Sequence, residues 1–318
     1  MVRFLLRRLL QMIPVLFLVT IIVFTLVNLV PGDAARLFLG EEAPPDALAA
    51  LRHELGLDQP LYIQYLRWVG RMLHGDFGYS FKDHRPVLAT LLQKLPVTAE
   101  LTAGALLIAW AIAVPAGALA AWRQRTLVDY GASAAALGGL SIPNFWLGIM
   151  LVYLFAVHLH WLPASGFVPL THDPGRNLRT LVMPAFNLGV VLAAVVMRQL
   201  RSGMIEVLSA DFVRTARAKG LGRRAVLVRH ALRNAVIPVI TVMGLQMGTL
   251  LGGAIITETI FAVPGLGQLA VNAIYSRDYP MLEGVVVFGA LSILMVNVLV
   301  DVVYSLIDPR IKLAGDRM

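Results

Sequence analysis

From Leu9 to Val30 the chain runs 22 residues without a charge, directly after Arg3, Arg7 and Arg8. As a helix that run is about 33 Å long, enough to cross the hydrocarbon of a bilayer. A cleaved leader would have a shorter apolar core, about 7–15 residues ending at small residues. This run ends at Pro31-Gly32-Asp33, which predicts a retained first span. Further charge-free runs cover Leu101 to Trp122, Ala132 to Val157, Leu181 to Met197, Ala235 to Thr257 and Gly284 to Val300, the last continuing past Asp301 to Ile307. Pro115 predicts a kink in the second run and Pro143-Asn144 a break in the third. The expected fold is an all-α membrane protein with six transmembrane helices.

Composition excludes several classes at once. There is no cysteine, so disulfides, thiol catalysis and Cys-ligated metal centres are out. A net charge of +8 would suggest nucleic acid in a soluble protein, but here loop topology accounts for it. With six spans, 17 of the 27 Lys and Arg residues fall on the side holding both termini, and seven of the other ten lie in the long loop after the first span. The positive-inside rule then makes both termini cytoplasmic. Glu100, Glu258 and Glu283 fall at the ends of apolar runs, so each is expected near a membrane interface.

The long loop, Pro31 to Lys94, balances seven basic residues against eight acidic ones. Leu48, Leu51 and Leu55 before Gly56, and the stretch Leu61 to Leu73 before Gly75, predict short amphipathic helices on the membrane surface or capping the bundle. Three parts are expected: residues 1–95 as first span plus helical loop, 96–308 as a five-span core, and 309–318 as a cytoplasmic tail.

The basic island Asp211 to Asn234 lies between two apolar runs. Asp211 can cap a helix start and Gly220 can end it in the left-handed conformation, so Phe212 to Lys219 reads as about two turns. Phe212, Thr215, Ala216 and Lys219 recur at i, i+3, i+4 and i+7, with Arg214 and Arg217 beside them, a stripe suited to a groove on another protein. A second helix is expected from about Arg223. The plain alternative is an ordinary cytoplasmic loop, and a DNA-reading helix-turn-helix lacks a compact domain to present it.

Arg214-Thr215-Ala216, three residues and then Gly220 resemble the E-A-A-x-x-x-G coupling signature of binding-protein-dependent ABC importer permeases. Arg replaces the usual Glu at 214, and Arg233 replaces a usual Pro, as in the dipeptide/oligopeptide/nickel branch with its R-T-A-R-A-K-G-L and H-A-L-R-N-A strings. The same branch is matched at Gly75 to Ser80, Leu140 to Gly148, Leu250 to Gly253, Glu258 to Gly267, Arg277 to Pro280 and Asp308 to Arg310. The N-terminal pattern and long outer loop resemble its B-type subunit. That resemblance implies a type I importer fold in the cytoplasmic (inner) membrane of a prokaryote, moving peptides or related solutes. It also implies a second, homologous permease subunit, two cytoplasmic ATPase domains holding ATP and Mg, and an extracytoplasmic solute-binding protein. Asp211, Arg214, Thr215, Ala216, Arg217, Lys219 and Gly220 would contact the ATPase. No cofactor, metal or nucleic acid is expected on this chain, only membrane lipids and these partners.

Gly244, Gly248 and Gly252 leave one helix face bare, for packing or for lining a path, and Asn144 is a second path candidate. Asp301 sits inside a span, but no other span supplies a matching relay partner, which disfavours a stand-alone secondary carrier; that carrier, or a channel, is the alternative reading. Ser141 and His158 lie about 25 Å apart on a straight helix, too far for a nucleophile and its base. The chain has no G-x-x-x-x-G-K-[ST] loop, so it is not expected to hydrolyse ATP or to act as an enzyme.

Overall fold

Helix boundaries follow the breakers and the apolar runs. The computed structural model describes residues 2–29, 34–39 and 43–307. Pro31 to Asp33, the closing Asp308-Pro309-Arg310 and the tail 309–318 lie outside these. In order come α1 (Val2–Leu29), α2 (Ala34–Leu39), α3 (Pro45–Leu55), α4 (Leu61–Leu73), α5 (Val87–Trp122), α6 (Leu127–Ser141) and α7 (Asn144–Leu151). They are followed by α8 (Pro174–Ser209), α9 (Asp211–Ala218), α10 (Arg223–Ala225), α11 (Arg233–Ile260), α12 (Leu266–Tyr275) and α13 (Tyr279–Ile307). Wider π-helical turns extend α7 through His158 and α10 through Leu232.

Among the described residues, five helices are long and apolar enough to cross a membrane, and α6 with α7 makes a sixth segment bent by 99° at Ile142-Pro143. The expected break is therefore a near right angle, because the residue before proline is pushed out of the helical region and Ile142 takes ψ 124°. By contrast, α5 runs on through Pro115 as one helix. It also begins earlier than the apolar run, at Val87, and α8 extends well past Met197, so Arg198 and Arg201 are helical residues and not loop cations.

The chain divides into two compact units, and the division departs from the sequence expectation. One unit is Val2–Pro96 with Gly265–Leu294, the other Val97–Pro264 with the segment from Met295 onward. Residues 265–294 join the N-terminal unit. The physical reason is a small core in which Leu266, Ala273, Met281 and Val285 pack with Val87 and Leu91.

In the N-terminal unit, α3 and α4 stop where glycine permits. Gly56 and Gly75 take φ of 70° and 81°, and each helix closes with the reciprocal bonds of a Schellman turn, such as Leu57 N–H to Arg52 O at 2.9 Å. Helix α4 lies against α1, where the Tyr65 and Thr20 hydroxyls share a bond of 3.0 Å and Phe24 stacks edge-on to Tyr65.

In the larger unit, α8 is the axis. Its N-terminus is capped by Asp173, which accepts from Arg176 N–H at 3.0 Å, and Pro174 supplies the first turn. Small residues let α5 come close: a Cβ on Gly189 would sit 2.8 Å from the Ala105 carbonyl, and one on Gly117 2.9 Å from that of Met197. Leu101, Ala105, Ala109, Leu188, Leu192, Val196 and Leu200 fill this core.

Candidate coupling site

A single extended residue, Ala210 (φ −69°, ψ 149°), joins the end of α8 to the start of α9. The elbow is held on both sides, since Ala210 N–H donates to Val207 O and its carbonyl accepts from Val213 N–H at 3.0 Å. The first helical residue is Asp211 and the cap position belongs to Ala210, which corrects the expectation that Asp211 caps the helix. The Asp211 carboxylate instead meets Arg214 Nη1 at 3.3 Å, in a fully solvated pair worth little to stability.

At the far end the expected glycine stop is present. Gly220 takes φ 82°, its N–H donates to Arg217 O, and Leu221 N–H reaches back to Ala216 O at 3.3 Å. These are the two bonds of a Schellman turn.

The expected stripe is split by packing. Phe212, Thr215 and Lys219 are exposed, as are Arg214 and Arg217, but Ala216 is buried with Val213 against Val226 of the following π-helical turn. The small side chain at 216 thus lets α9 sit tightly on its own chain, with Val207 and Leu208 of α8 completing the contact. A rigid plate results: an apolar underside locked to α8 and to the segment leading into α11, and an outer face carrying Asp211, Phe212, Arg214, Arg217 and Lys219.

The other singled-out residues separate. Asn144 opens α7 just after the break and lines a cavity of about 130 Å³ with Leu188, Val191, Leu192, Gln246 and Leu250. At Gly244 a Cβ would collide with Val300 Cγ1 of α13, so this glycine answers to close helix packing. Gly248 and Gly252 continue along α11, but their surroundings are outside the described residues.

Sequence reasoning missed a polar seam inside the larger unit. Glu258 is fully buried and accepts from Thr98 Oγ1 at 2.7 Å. Next to it in sequence, Thr257 accepts from Asn187 Nδ2 at 3.0 Å, and Asn187 Nδ2 would lie 3.4 Å from a Cβ on Gly148. The Oδ1 atoms of Asn144 and Asn187 are buried without a partner among the described residues. Asp129, 1% exposed, takes a bidentate grip from Arg201, Nε to Oδ1 at 2.5 Å and Nη2 to Oδ2 at 2.8 Å. The one available signal was Asp129 and Arg201 flanking neighbouring apolar runs.

Comparison with known proteins bears on the whole chain. Residues 113–313 match the family described as binding-protein-dependent transport system inner membrane component, and residues 1–102 match the N-terminal domain that accompanies it. The dipeptide transport system permease protein DppB of Escherichia coli K12 is 42% identical over 336 residues, covering 98% of this chain and 99% of that protein. The di/tripeptide transport system permease protein DppB of Pseudomonas aeruginosa is 43% identical, with the same coverage. The dipeptide permease of Alkalihalophilus pseudofirmus is 41% identical over its full length. Among solved structures, a chain of the MetNI methionine ABC transporter in an inward-facing conformation superposes with a TM-score of 0.58 at 17% identity, covering 69% of this chain and 96% of that one.

Proposed function

The chain belongs to the family of binding-protein-dependent transport system inner membrane components, and from that premise we propose that it is a membrane subunit of an ATP-driven importer of short peptides. The observation that carries the proposal is near full-length identity to dipeptide permeases combined with the plate at α9. The ATPase domains, with their ATP and Mg, a second permease chain and an extracytoplasmic binding protein are the partners this reading requires. Both termini and α9 face the cytoplasm in it, as the charge count favours.

Mechanically, an ATPase domain closing on nucleotide presses the outer face of α9. Arg214, Arg217 and Lys219 meet acidic groups there, Phe212 enters an apolar recess, and Thr215 lies between them. Because Val213 and Ala216 lock the underside of α9 to α8, and Ala210 is the only residue between the two helices, displacement passes to a helix about 54 Å long. Rigid-body movement of α8 with its packed neighbours then alternates access to a path. Asn144 and Gln246, on the wall of the smaller cavity, are a candidate lining for it.

The test is uptake by the complete transporter reconstituted in liposomes with its ATPase and binding protein. Gly220→Val forces a β-branched residue into φ 82° and distorts the plate, whereas Gly220→Asn tolerates that conformation. The valine variant should insert normally and hydrolyse ATP but lose most uptake, with asparagine close to wild type. Full uptake by the valine variant overturns the coupling role.

A further inference from the structure

At the end of α8 opposite to α9, a cavity of about 560 Å³ opens between the close of the α7 segment and the first turns of α8. Its walls include His160, Trp161, Arg176, Arg179 and Thr180, and Val157 is part of its floor. We propose that this cavity holds the phosphate group and upper acyl chain of an anionic phospholipid.

Depth is the first argument. The charge-free run of α8 starts at Leu181, so Arg179 and Arg176 stand about 3 and 8 Å outside it along the helix. The headgroup layer on either side of the hydrocarbon is about 5–8 Å thick, which puts both guanidinium groups at the phosphate level. The run preceding the cavity ends at Val157, so the same boundary is marked twice. Trp161, 62% exposed beside Phe155, is the residue type that favours this layer.

Charge is the second. The Asp173 carboxylate is shared with Arg176, accepting its N–H and lying 3.5 Å from Nε. Asn177, one residue on, donates to Glu100 Oε2 at 2.9 Å and to the carbonyl of Val168, a wall residue of the cavity, at 2.7 Å. Arg179 has no acidic partner among the described residues. Arg179 therefore leaves one positive charge on the cavity wall that no acidic side chain among the described residues pairs with, and a singly charged phosphodiester neutralises it.

Shape is the third, and it separates a lipid from a soluble anion. Val157 lies on the same helical segment as Leu154 and Tyr153, 44% and 59% exposed, which leaves a strip of open surface against which an acyl chain can lie. A free phosphate or a peptide carboxylate makes no use of that strip. The proposal does not depend on peptide transport, because it needs only the membrane position of two helix ends.

The experiment is native mass spectrometry of the full chain taken from bilayers of equimolar phosphatidylglycerol and phosphatidylcholine. Wild type should retain phosphatidylglycerol selectively, and Arg176→Gln/Arg179→Gln should hold it at least tenfold more weakly at an unchanged melting temperature. Trp161→Ala should weaken retention of both lipids alike. Equal retention in wild type and the double variant overturns the proposal. So does displacement of the lipid by equimolar inorganic phosphate or dialanine, the first marking a free-anion site and the second a solute site.

Discussion

The Ser80 hydroxyl donates to Asp278, 198 positions later in the chain, and both side chains are almost fully buried. The other carboxylate oxygen accepts from Phe81 N–H at 3.0 Å, and Ser80 Oγ itself accepts from Lys82 and Asp83 N–H. One buried carboxylate thus anchors the middle of the turn from Gly75 to Pro86, alongside the turn's own backbone bonds, leaving Lys82 and Arg85 exposed.

Asp278→Ala leaves a buried hydroxyl and a peptide N–H without an acceptor, a loss of about 2–3 kcal/mol. Trypsin should then cut at Lys82 or Arg85 several-fold faster than in wild type. An unchanged digestion rate would show that the turn is held by other contacts.

Arg201→Met strands the buried Asp129 carboxylate, and because the arginine is 27% exposed the cost should be at the low end of the usual range, about 3 kcal/mol. Adding Asp129→Asn should recover more than half of the lost thermal stability. Strict additivity of the two changes in a double-mutant cycle would contradict a direct coupling.

Two glycines should answer oppositely to added methyl groups. Gly189→Ala pushes a Cβ to 2.8 Å from a backbone oxygen on α5 and should destabilise by about 1–3 kcal/mol. Gly131 in α6 faces open space, so Gly131→Ala should be neutral or gain up to about 1 kcal/mol. Melting curves in detergent decide it, and equal shifts would deny the close α5–α8 approach.

Arg277 closes α12 at φ 54°, a left-handed conformation costly for any side chain. Its N–H and that of Asp278 complete a Schellman turn, so Arg277→Gly keeps the bonds and removes the strain. A gain of about 1 kcal/mol is expected. A lower melting temperature would mean that the arginine side chain contributes more than its backbone costs.

The apolar runs, the break at Pro143 and the helix stops at Gly56, Gly75 and Gly220 were all legible in the chain, because each depends on residues within a turn or two of itself. The stripe on α9 was only half legible. Periodicity places Phe212, Thr215, Ala216 and Lys219 together, but it cannot say that Ala216 will be taken up by Val226. For the same reason the string Gly75 to Ser80 read as a turn and nothing more, since its anchor at Asp278 comes from another part of the sequence.

By itself the sequence settled that this chain lives in a bilayer, how many apolar segments it carries and where glycine and proline stop or break a helix, since hydropathy, proline and glycine act locally. Tertiary structure decided which small residues are contact points, Gly117 and Gly189 on the α5–α8 seam as well as Gly244 on α11. It also decided which charges are buried, pairing Arg201 with Asp129 and enclosing Glu258 beside Thr98. Those choices rest on distances between segments far apart in the chain, and only packing sets them.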